Sequence, residues 1–178
     1  MILKENSTHF KPAPEGVHNA VCVDVTPVKV YNTPWGEKEK FRLVWELEAT
    51  MEDGRRFLVT KAYVPSIHPK STLRKDLKAW RGRDFTPDEL NAFDTEKIVG
   101  APCQLVISHN EKDDQVYANI AAIMKADKNK KLTPSGKYVR VQDRDQKQNS
   151  NGKNGHVERL VDTSVMEEPE FASEEIPF

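Results

Sequence analysis

The side chains in this chain best suited to chemistry are cations interleaved with aromatic rings. Tyr31 and Trp35 stand in the stretch Tyr31-Asn32-Thr33-Pro34-Trp35-Gly36, and Lys38, Lys40 and Arg42 follow at alternate positions. Arg55, Arg56, Lys61, Tyr63, Lys70 and Arg74 extend the pattern. Rings on which bases stack, at about 1–3 kcal/mol per base, beside cations that counter phosphates are the means of holding an unpaired nucleic-acid strand. These eleven residues are the candidate contacts. Trp35, between Pro34 and Gly36, has no obvious core to enter, although a loop tryptophan can also fold back over a barrel. Tyr63 shares phase with Phe57 and Val59, which favours the core. Trp45 and Trp80, in phase with Leu43/Leu47 and Leu73/Leu77, are core residues. The cations Lys70, Arg74, Lys78, Arg81 and Arg83 either continue a phosphate track or simply solubilise a helix.

Catalytic patterns are missing. Gly16, Gly36, Gly54, Gly82 and Gly100 are isolated turn glycines rather than a phosphate loop. His9, His18, His68, His109 and His156 lack metal-ligand spacing. Glu46/Glu48 and Asp113/Asp114 read as a solvated strand face and a turn; carboxylates gathered in space around Mg²⁺ are the alternative. Cys22 and Cys103 cannot build a disulfide framework and read as buried thiols. No catalytic residue, metal or cofactor is expected.

Charge is segregated along the sequence. The net charge of 178 residues is −1, with 27 Lys and Arg against 28 Asp and Glu, which excludes a simple polycation. Yet Arg55–Arg83 holds nine cations and only Asp76 as an anion, Ala126–Lys153 sums to +5, and Asn154–Phe178 sums to −6. A basic surface for a polyanion and an acidic tail follow from that order.

The elements that position these residues read as follows. Glu15–Val30 alternates, with Val17, Val21, Val23 and Val25 on one face and His18, Cys22 and Asp24 on the other; Pro27 marks an edge, bulge or change of partner. Tyr31–Gly36 reads as a loop. Lys38–Thr50 is a second strand, with Phe41, Leu43, Trp45 and Leu47 on one face, and Met51-Glu52-Asp53-Gly54 turns the chain into a third, Arg55–Val64. Ser71–Arg81 is an amphipathic helix capped by Ser71 and stopped by Gly82. Thr86-Pro87-Asp88-Glu89 opens a short helix through Phe93. Pro102–His109 and Gln115–Met124 are strands joined by Asn110–Asp114. Residues 1–125 make the folded domain. Residues 126–178 are expected to form a mostly disordered tail with transient order around Tyr138–Val141, since apolar periodicity ends at Lys125 and residues 146–155 carry no apolar side chain. Three strands, a helical segment and two strands, all-β with a small helical insert, are the order of a five-stranded Greek-key OB-fold barrel; an open sandwich is the competing topology. In an OB-fold the strand 2–3 face and the loops after strands one and four carry the binding surface. No apolar run reaches the roughly 20 residues that span a bilayer, and Met1–Asn6 has no secretory-signal character, so a cytoplasmic setting is expected.

The chain ends Glu174-Glu175-Ile176-Pro177-Phe178 after the acidic run Glu167-Glu168-Pro169-Glu170. This ending resembles the C-terminal tip of the bacterial single-stranded DNA-binding protein family, with glutamates where that family usually has aspartates. The runs Lys70-Ser71-Thr72-Leu73-Arg74-Lys75-Asp76-Leu77 and Trp80-Arg81-Gly82-Arg83 are similar to OB-fold single-stranded DNA-binding proteins of tailed phages. The resemblance implies a non-enzymatic protein that covers single-stranded DNA with little sequence preference during replication, recombination and repair. It also implies recruitment of partner proteins through the tip, whose phenylalanine would dock in an apolar pocket. An RNA-binding regulator on the same barrel and a protein-only adaptor are the alternatives; oligomeric state stays open.

Overall fold

A computed structural model describes residues 11–144. In chain order the elements are β1 (Gly16–Val25), β2 (Lys29–Thr33), β3 (Gly36–Thr50), β4 (Arg56–Tyr63), α1 (Thr72–Arg81), α2 (Pro87–Asn91), a 3₁₀ turn (Thr95–Ile98), β5 (Pro102–Lys112) and β6 (Gln115–Lys125). The strands form an antiparallel, open six-stranded sheet. β3 has β4 on one edge and β1 followed by β2 on the other, while β5 links β1 to β6. β4 and β6 approach each other without a hydrogen-bonded ladder. No helix among the described residues is long and apolar enough to cross a membrane.

Six strands replace the expected five because the first one breaks. Pro27 has no N–H to give the ladder. At the break, Thr26 N–H donates to the Arg42 carbonyl (2.9 Å) and Arg42 N–H donates to Thr26 Oγ1 (2.8 Å). The ladder then resumes at Lys29↔Lys40. Tyr31–Thr33 are therefore strand rather than loop. The turn is only Pro34–Trp35, between the paired Thr33 and Gly36, and Gly36 has the positive φ (108°) that favours glycine there.

The principal core gathers Phe41, Leu43, Trp45 and Leu47 of β3, Phe57, Val59 and Tyr63 of β4, and Leu73, Leu77 and Trp80 of α1. Local signals place α1 as its sequence suggests: Ser71 Oγ accepts from Arg74 N–H, and Gly82 ends the helix in the left-handed region at φ 69°. The indole N–H of Trp80 donates to the Pro102 carbonyl (2.8 Å), and the Trp80 ring lies 5.9 Å from that of Trp45, tying α1 to the sheet.

The phase of β1 differs from the simple alternation. Ala20, Cys22 and Val25 enter the principal core, because a bulge between Cys22 and Asp24 inserts one residue and shifts the phase. Val17 is exposed. Val21, Val23 and Val44 form a second cluster on the opposite face of the sheet, beneath Leu132 and Tyr138. That cover comes from residues 131–144, a strap that lies beyond the folded domain of residues 1–125 expected from the sequence. The strap is held by two carboxylates with almost no solvent exposure. Asp24 accepts from Tyr138 OH (3.0 Å), Arg140 Nε (3.0 Å) and Val141 N–H (2.8 Å). Glu46 accepts from Ser135 N–H (2.9 Å), Ser135 Oγ (2.7 Å) and Arg56 (3.3 Å). Glu46 is thus no part of a solvated face.

Candidate nucleic-acid interface

β2 and the start of β3 form a two-residue-turn hairpin whose residues are almost all exposed, a ribbon projecting from the sheet. Directly paired residues of an antiparallel ladder share a face. Lys29 faces Lys40 and Tyr31 faces Lys38, whereas Val30 faces Glu39 and Asn32 faces Glu37. One side of the ribbon is therefore three lysines around a tyrosine, with Lys40 Nζ 5.9 Å from the Tyr31 ring centre. The other side carries the two glutamates. Trp35 crowns the turn and is 85% exposed, so the alternative of folding back over the sheet does not hold. The lysine side continues along β3 to Arg42, which lies opposite the small, exposed Ala62 of β4.

Tyr31, Trp35, Lys38, Lys40 and Arg42 are thus brought together, and Lys29 joins them. It was passed over in sequence because the register that sets it opposite Lys40 was hidden while Tyr31–Gly36 read as a loop. The other candidates lie elsewhere. Arg55 sits in the β3–β4 turn, at the far end of β3 from the ribbon, bound to Asp53 (2.6 Å). Arg56 is held by Glu46 and the Thr133 carbonyl (2.6 Å). Lys61 pairs with Asp76 (2.7 Å), and Tyr63 is buried, its hydroxyl donating to the same carboxylate (2.7 Å). Burial, reinforced by Asp76, pushes the Tyr63 phenol far above its usual range. Arg74 bonds the Ile67 carbonyl (3.4 Å) and Asp84 (3.3 Å) and lies over Phe85. Lys70 is exposed in the loop before α1, apart from the ribbon.

The cationic run Arg55–Arg83 is largely neutralised in space. Of its nine cations, seven form ion pairs: Arg55 with Asp53, Arg56 with Glu46, Lys61 with Asp76, Arg74 and Lys78 with Asp84, and Arg81 and Arg83 with Glu89. Hydrogen bonds from Lys78 and the Phe85 N–H draw the Asp84 carboxyl down to about 2. Only Asp76 among these partners belongs to the run itself, so a count along the sequence overstated its free charge.

Cys22 and Cys103 are buried free thiols, and desolvation raises the Cys22 pKa to about 12. No group of three or more His, Cys, Asp or Glu side chains is placed to hold a metal ion among the described residues. Glu174, Glu175, Ile176, Pro177 and Phe178 lie outside the described residues. No protein-family model matches the chain, and a search of curated proteins finds no significant match.

Proposed function

We propose that the chain binds single-stranded DNA with little sequence preference, using the Lys29–Tyr31–Lys38–Lys40 side of the ribbon, Arg42 and the exposed Trp35. The observation that carries this reading is the segregation of the ribbon. Its lysines and tyrosine share one side and its glutamates the other, so phosphates meet cations while bases reach two rings. Stacking on Trp35 would contribute about 1–3 kcal/mol.

An OB-fold-like body supports it. Counting β1 and β2 as one interrupted strand, the pairing order β4-β3-β1-β5-β6 with α1 between β4 and β5 is the Greek-key order of that barrel, lacking a ladder at its last seam. The ribbon then corresponds to the loop after the first strand, part of the binding surface of OB-folds. The tip Glu174–Phe178 is proposed to recruit replication, recombination or repair proteins, one phenylalanine serving as anchor and the acids steering the encounter. The setting would be phage DNA metabolism in the host cytoplasm.

A mobility shift with single- and double-stranded oligomers of equal length tests the reading. Preferential retardation of the single strand is expected, weakening with salt. Preference for duplex, or no shift at low salt, overturns it. A matched RNA oligomer winning the competition would point to the RNA-binding alternative instead.

A further inference from the structure

The strap changes the sign of the surface beside the ribbon. Without it, the outer face of the sheet next to Arg42 would present Asp24 and Glu46, two carboxylates that repel phosphate. Residues 131–144 cover both acids with hydrogen-bond donors, as described above. Outward the strap and the residues leading into it carry exposed Lys128, Lys130, Lys131, Lys137 and Arg144 against a single exposed acid, Asp143. None of these five cations has a carboxylate partner among the described residues. The strap adjoins the ribbon's track: Leu132 and Tyr138 rest on Val44, two residues beyond Arg42 on the same side of β3, roughly 7 Å along the strand.

We infer that the strap is a second phosphate-binding element, which extends the cationic track from Lys38, Lys40 and Arg42 across Lys137 to Lys130 and Lys131. The acids beneath are structural anchors that fix it in place. This inference rests on the proposed single-strand binding and deepens it, because it lengthens the strand the protein can follow.

The test uses the full chain, with anisotropy of labelled oligo(dT) measured across a salt series for three proteins: wild type, the triple variant Lys130→Ala/Lys131→Ala/Lys137→Ala, and Trp35→Ala. The three lysines are exposed, so the triple variant should keep the wild-type urea midpoint. Each phosphate contact to a single strand contributes about 0.7 to the slope of log affinity against log salt, so removing three lowers the slope by about 2. With affinities converging near 1 M salt, that slope change corresponds to a loss of roughly a hundredfold at 0.1 M. A triple variant with wild-type affinity and slope, while Trp35→Ala binds more weakly, overturns the strap inference and leaves the ribbon reading standing. A wild type that does not bind oligo(dT) overturns both.

Discussion

Asp24 is the point at which the strap can be detached most cleanly. Replacement by Ala removes the acceptor for Tyr138 OH, Arg140 Nε and the Val141 N–H at once. Breaking a buried ion pair by removing one partner costs about 3–5 kcal/mol, because the other charge is left uncompensated. Arg140 softens this loss, since its side chain is 21% exposed and it keeps Glu96 at 2.8 Å. Asp24→Ala should therefore fall at the lower end, about 3 kcal/mol, a large share of the roughly 5–15 kcal/mol stability of a domain. Urea unfolding followed by circular dichroism measures the total. Limited trypsin cleavage at Lys137 and Arg140 reports strap opening separately, and about 3 kcal/mol on the opening equilibrium speeds it by roughly two orders of magnitude. The double variant Asp24→Ala/Arg140→Ala should cost less than the sum of the singles by about 1–3 kcal/mol. If Asp24→Ala lies within about 0.5 kcal/mol of wild type and is cleaved no faster, the carboxylate does not anchor the strap.

Trp35→Ala should leave the urea midpoint almost unchanged, within about 0.5 kcal/mol, and weaken oligo(dT) binding by about 5- to 150-fold, whereas Trp45→Ala, at a fully buried site, should cost about 3–5 kcal/mol of stability. Gly82→Ala should destabilise by about 1–2 kcal/mol in the same assay, because φ there is 69° and a Cβ would lie 3.2 Å from Lys125 Cδ. Asp84 has a folded pKa depressed to about 2, so its stabilisation is present above its unfolded value of about 3.9 and lost as pH falls towards 2. Urea midpoints at pH 5 and pH 2.5 should therefore differ less for Asp84→Asn than for wild type. Cys22 and Cys103 should resist a thiol reagent at pH 8 in the native protein and react on unfolding, since Cys22 is held at about 12 and both are buried.

The parts of this fold that could be read in the sequence are those set by neighbouring residues. Ser71 and Gly82 bound α1, Leu73, Leu77 and Trp80 mark its buried side, the Thr86–Glu89 capping box starts α2, and Met51–Gly54 turns β3 into β4. The strap was hidden because its partners are distant: Ser135 meets Glu46 across 89 residues and Arg140 meets Asp24 across 116. Residues 131–140 show no periodicity, because they are neither helix nor ladder, and helical backbone appears only from Val141 to Arg144; Tyr138–Val141 is the strap's only trace in the sequence. Carboxylates just beyond either end of the basic run also neutralise most of its apparent charge, since Arg55, Arg56, Arg74, Lys78, Arg81 and Arg83 meet Asp53, Glu46, Asp84 and Glu89. In the candidate site, the turn context of Trp35 between Pro34 and Gly36 points to the exposed ring that the structure has. The ribbon's two-sidedness required the register that places Tyr31 opposite Lys38.

The most direct test of single-strand binding by the ribbon is tryptophan fluorescence during titration with oligo(dT) and with a duplex of equal length. Trp45 and Trp80 are buried, so quenching on stacking reports Trp35. The account expects saturable quenching by the single strand, reversed by salt, absent with duplex and abolished in Trp35→Phe. Unchanged emission with oligo(dT) at low salt, or stronger quenching by the duplex, would contradict it.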